Sequence, residues 1–139
     1  SMPSINLSDA EKIISGARQK MTELNLKMSI SVVDPRGDLI AMIREDGSSW
    51  RTPMISHGKA VASACFGLPS VQLEERASSP IFNAFTTIQN GNFIMGQGAL
   101  PIFQNGELVG AVGASGGLPQ EDEDVVQAGI TTAGLKTSA

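Results

Sequence analysis

The dipeptide Asn105-Gly106 constrains this chain more than any other feature. Both residues accept positive φ at low cost, and a two-residue type I′ turn demands that at both central positions. Ala99 to Gln104 and Glu107 to Ser115 flank it as apolar, β-capable runs. The segment therefore predicts an antiparallel hairpin. Pro101 has no N–H to give to a ladder, so it marks an edge or a bulge. Gly110 and Gly113 leave notches in the returning strand where another backbone or a ligand can approach.

A second hairpin is expected earlier. Met28, Ile30 and Val32 alternate with Ser29 and Ser31, the Asp34-Pro35-Arg36-Gly37-Asp38 turn follows, and Leu39 to Ile43 returns. Phe93 to Met95 reads as a further short strand. The first helix is predicted from a Ser8/Glu11 capping box through Ala10, Ile13, Ile14, Ala17, Met21 and Leu24, stopping at Asn25. Thr52-Pro53 starts another, with threonine as cap and proline at the first helical position, running to Leu68. Met54, Gly58, Val61, Cys65 and Leu68 form one stripe of it, and its small residues suit close packing on a sheet or a partner. Val71 to Ala77 is a short helix, and Ile81 to Gln89 reads as a loop with a helical turn. The acidic run Gln120 to Asp124 opens the last helix, where carboxylates interact favourably with the dipole. Hairpins dominate and no helix reads as a parallel crossover. The expectation is an α+β fold, an antiparallel sheet of about five strands with flanking helices, in one domain over 1–139.

Composition narrows the function. With 139 residues, 41% hydrophobic and 17% charged, the chain buries one core and has no room for two full domains. A net charge of −4 removes the basic footprint of nucleic-acid binding. No apolar run reaches the ~20 residues of a membrane span, and no signal-peptide pattern is seen. Ser1-Met2 reads as an expression scar. The lone Cys65 excludes an intrachain disulfide framework, and the lone His57 excludes a multi-histidine metal site within one chain. A cytoplasmic, reduced setting is expected.

Few residues can carry chemistry. His57, in the first turns of its helix, is either structural or a ligand for haem iron or a general base. Lys59 and Arg51 are either solvated charges or partners for a carboxylate or propionate. Trp50 either covers the core or walls a pocket for a flat ligand. Gly96-Gln97-Gly98 lacks the third glycine of a nucleotide fingerprint and reads as a strand irregularity. Ser115-Gly116-Gly117 either offers amides to an anion or simply turns into the last helix. Asp122 reads as a capping charge and Cys65 as core.

The order of motifs resembles a known family. Gly98-Ala99-Leu100-Pro101-Ile102, then Asn105 to Gly117 and Glu121-Asp122-Glu123, are similar to the GlcG/HbpS-like, haem-degrading domain family, which includes the C-terminal domain of PduO-type proteins. Val33-Asp34-Pro35-Arg36-Gly37, Arg44-Glu45-Asp46-Gly47 and Gly58-Lys59-Ala60-Val61-Ala62 agree with it. The resemblance spans about Leu7 to Gly134. It implies a profilin-like or PAS-like sheet, homodimers or larger assemblies, and a pocket near Gly58-Lys59-Ala60. It implies haem binding or degradation for some members and a link to glycolate, diol or aromatic catabolism for others. Gln97 departs from the pattern, since many relatives carry another glycine there.

Two functions remain. One is a small-ligand-binding protein for haem or a related tetrapyrrole, with His57 as axial ligand, Trp50 and phenylalanines as walls, and Arg51 or Lys59 on the propionates. The other is a catabolic enzyme or accessory protein acting on a small organic acid, with Arg51 and Lys59 on the carboxylate and His57 moving a proton. An assembly module without a small ligand is the plainest alternative. Both ligand readings place the pocket where the start of the Pro53–Leu68 helix meets Gly98 to Pro101.

Overall fold

A computed structural model describes residues 2–139, so Ser1 of the Ser1-Met2 pair lies outside the described residues. Four strands form one antiparallel sheet in the order β2-β1-β4-β3: β1 Ser29–Val33, β2 Leu39–Arg44, β3 Ala99–Gln104 and β4 Glu107–Ser115. The hairpin at Asn105-Gly106 is present, with φ of 52° and 78°. Pro101 sits on β3, an edge strand, opposite Ala111.

Helices cover both faces. α1 (Leu7–Glu23) and α4 (Pro119–Thr132) pack on one side around Ile13, Met21, Ile30, Val32, Val112 and Ile130. α2 (Thr52–Phe66) lies on the other with Val33, Ala60, Ala64 and Ala111. A short 3-10 helix, Ser70–Arg76, and α3, Pro80–Ile88, follow it. No helix of the described residues is long and apolar enough to cross a membrane.

Four local expectations are corrected. The cap of α1 is Asn6, whose side chain accepts from the Asp9 amide at 2.8 Å; the helix starts before Ser8, which places that serine inside the first turn. Phe93 to Met95 makes no ladder, which leaves four strands in the sheet. Its Ile94 amide donates to the Gly58 carbonyl at 3.0 Å instead, because Gly58 presents no side chain and Ile94 fills that space. Ile81 to Gln89, read as a loop with a turn, carries most of a nine-residue helix. Cys65 is exposed.

The cause of the Cys65 error is the closeness of α2 to the sheet. Thr52, Ser56, Ala60 and Ser63 are buried, while Met54 and Cys65 are exposed. Ser29 pairs with Thr52 at 2.8 Å and Ser31 with Ser56 at 2.7 Å, hydroxyl to hydroxyl. A Cβ on Gly113, opposite Ser31, would collide with the Ser56 carbonyl. Small polar residues face inward because no larger side chain fits at that separation.

Candidate ligand site

The residues singled out in sequence fall into three places. Lys59 projects inward from α2 and is only 8% exposed, so it is not a solvated charge. Its Nζ donates to Asp122 Oδ2 at 2.9 Å and to the Ala114 carbonyl at 3.1 Å. Asp122 Oδ1 in turn accepts from the Gly117 amide at 2.9 Å. The carboxylate that Lys59 meets is thus the chain's own. Burial pushes the Asp122 carboxyl above its ordinary range, and the attraction of Lys59 offsets only part of that.

Gly98 completes this cluster. Its φ is +135°, and a Cβ there would lie 2.7 Å from Lys59 Nζ and 3.1 Å from the Ala114 carbonyl oxygen. The space in front of Gly98, where the sequence placed a pocket, holds the ion pair. Pro101 is buried in β3. Ser115 to Gly117 connects β4 to α4 and receives the Asp122 carboxylate rather than displaying open amides.

Trp50 and Arg51 precede α2 on the surface. Trp50 is 66% exposed, and the Arg51 guanidinium stands 5.8 Å from its ring centroid. The tryptophan is therefore not a cover over the core. The expected phenylalanine walls are also engaged elsewhere. Phe66 and Phe82 make an edge contact at 5.3 Å, and Phe85 and Phe93 another at 5.0 Å, joining α2, α3 and the segment after it.

His57 faces a separate cleft of about 360 Å³, lined with Met54, Ile55, Asn90, Gly91, Asn92 and Ile94. Its Nε2 is buried and has no hydrogen-bond partner. An unpaired buried polar atom costs about 1–3 kcal/mol, so it calls for an explanation. The walls are mainly apolar, with two asparagine side chains among them, which is the usual make-up of a small-molecule site. A groove of about 320 Å³ between α1 and β2 is similar in size, but its cation is engaged: Arg18 binds Glu45 at 2.9 and 3.2 Å. No cluster of three metal-ligating side chains occurs among the described residues. Sequence reasoning found His57 but missed Met54, Asn90, Asn92 and Ile94; only the fold brings the Asn90–Asn92 turn against α2.

The four-stranded antiparallel sheet, with helices on both faces, defines a small α+β class of protein. The chain belongs to the family of haem degrading proteins described as HbpS-like, whose model matches residues 5–131. It is 32% identical over 120 residues to a 15.0 kDa protein of Citrobacter freundii from the dhaT-dhaS intergenic region, covering 85% of this chain and 84% of that protein. Its fold is similar to that of the Klebsiella pneumoniae protein ORFY, with a TM-score of 0.87, 24% identity, and 96% and 93% of the two chains covered. It is similar also to the protein in a PduOC:heme complex, with a TM-score of 0.86, 19% identity, and coverage of 98% and 99%. A double mutant of HbpS from Streptomyces reticuli matches with a TM-score of 0.81, 22% identity, and coverage of 94% and 88%.

Proposed function

We propose that this protein binds haem or a related tetrapyrrole in the His57 cleft, where the imidazole would hold the iron. The observation that carries the reading is the buried, unpartnered His57 Nε2 beside a mostly apolar cleft. Membership of the HbpS-like family and the haem complex of a structural relative support the choice of ligand. The residues present fit the group. A neutral imidazole is a strong iron ligand, and coordination replaces an unsatisfied ring with a bonded one.

The other side chains have distinct work. Met54, Ile55 and Ile94 would pack against the apolar part of the ligand and exclude water from it. Asn90 and Asn92 offer amide donors at the rim. Arg51 lies six residues before His57, about 9 Å along the helix axis, and its free guanidinium suits a propionate. The Trp50 ring, with the Arg51 guanidinium 5.8 Å from its centroid, would steady that cation. Lys59 acts indirectly, by anchoring α2 to α4 through Asp122. When bound, the iron would supply the redox and dioxygen chemistry that no side chain here provides.

Haemin titration followed at the Soret band tests this. Wild type should give a saturable shift that His57→Ala loses, with affinity reduced at least tenfold. Arg51→Ala should weaken binding by about 1–3 kcal/mol, as for a charge-assisted hydrogen bond. An unchanged spectrum and affinity in His57→Ala would remove the histidine as ligand.

A further inference from the structure

Met54 and His57 stand one turn apart on α2, and both line the cleft of about 360 Å³. Residues at that i, i+3 spacing share a helix face, with Cβ atoms about 5–6 Å apart. Side chains on a helix lean toward its N-terminus, so the His57 ring inclines over the turn that carries Met54. The imidazole Nε2 is buried and has no hydrogen-bond partner. The Met54 side chain is 57% exposed, and its unbranched stem leaves the thioether free to swing.

We propose that Met54 and His57 together form a binding site for a soft monovalent metal ion, Cu(I). The site does not depend on the tetrapyrrole reading; the two ligands compete for one imidazole nitrogen.

The donors select the ion. One is a thioether sulfur and the other an imidazole nitrogen, and both are neutral. Thioethers favour Cu(I), and imidazole suits copper. With its filled d shell, Cu(I) accepts two ligands in a near-linear arrangement. Zinc asks for three or four protein ligands, and no group of three His, Cys, Asp or Glu able to hold a metal occurs among the described residues. Calcium takes about 6–8 oxygens. No Asp or Glu lines the cleft, and Asn90 and Asn92 supply only two amide oxygens.

Charge points the same way. From Ala77 to Gly106 the chain carries no Asp, Glu, Lys or Arg, so the wall facing α2 neutralises nothing. The start of α2 brings a partial positive charge close to the cleft, and Arg51 stands at its N-cap position. This field opposes any cation, and opposes a divalent one twice as strongly. A singly charged ion held by a sulfur and a nitrogen meets the smaller penalty.

Cys65 must be removed from the test. It is an exposed thiol further along the same helix and would take Cu(I) by itself. It lies about 12 Å from His57 along the helix axis, too far to share an ion. The experiment therefore titrates Cu(I), without oxygen and against bicinchoninate, into the Cys65→Ser protein labelled with ¹³C-methyl methionine. No haem is present. One Cu(I) per chain should bind, and the Met54 methyl and the resonances of the only imidazole should shift together up to that equivalence. Met54→Leu in the same background keeps an apolar wall and should weaken Cu(I) binding at least tenfold. Zn(II) at the same concentration should leave both resonances in place. No uptake by the Cys65→Ser protein overturns the site. So does uptake that leaves the Met54 methyl unmoved, or undiminished affinity in Met54→Leu. Equal shifts with Zn(II) overturn the preference for a soft monovalent ion. Should haemin fail to bind while the Cu(I) shifts appear, the tetrapyrrole reading falls alone; should haemin bind while Cu(I) does not, the metal site falls alone.

Discussion

Lys59 shows how one residue type supports opposite readings. A lysine on a helix is usually solvated, and the sequence offers no phase to say otherwise when its neighbours are Gly58 and Ala60. Its partner Asp122 is 63 residues away, in an acidic run that reads as ordinary helix-capping charge. Only the fold joins them, with Gly98 leaving room for the ammonium. Replacing such a pair by apolar residues is often neutral, whereas removing one partner strands a buried charge. Lys59→Ala or Asp122→Asn should therefore lower stability by about 3–5 kcal/mol, and the double variant Lys59→Met, Asp122→Leu should recover most of it. Urea unfolding of the three proteins measures the difference. Double-variant losses that simply add would show that the two side chains are not coupled.

At the scale of elements, the four strands of the sheet were legible, while Phe93 to Met95 was wrongly read as a further strand and the orientation of α2 was missed. The hairpin β3–β4 announces itself through Asn105-Gly106, because turn chemistry is local. β1 and β2 follow from alternation and a proline-glycine turn. By contrast, the apolar stripe through Met54 and Cys65 suggested the wrong inward face for α2. That inference assumes that large apolar side chains point to the core. Here the separation is set by Gly113, and Thr52, Ser56, Ala60 and Ser63 are among the small side chains buried on α2. The serines of β1, which alone would imply a wet face, lie against α2 with their hydroxyls paired. The His57 cleft was half legible for a similar reason: the histidine is visible, but its opposite wall comes from a turn far along the chain. Gly113→Ala should destabilise the protein by about 1–3 kcal/mol or more, since an added methyl must push α2 away. Ser31→Ala alone should cost about 1 kcal/mol by removing its hydrogen bond to Ser56, whose hydroxyl still donates to the Pro53 carbonyl at 2.8 Å. Thermal midpoints of the two variants rank these costs, and the glycine variant should melt first.

The whole molecule has two apolar clusters, one on each face of a single sheet. β1 and β4 are the inner strands, paired on both sides and covered by helices on both faces. Neither cluster can lose its packing without exposing those strands to water, so the two should unfold together. β2 is an edge strand with an exposed or half-exposed pattern, and α3 contributes no buried residue. Local opening free energy follows buried contacts, which places these two elements at the low end. Native-state deuterium exchange should therefore show β1 and β4 as the last amides to exchange, at the free energy of global unfolding. α3 should be among the first. Slow exchange of β1 with fast exchange of β4 would split the two clusters into independent units and refute a single cooperative core.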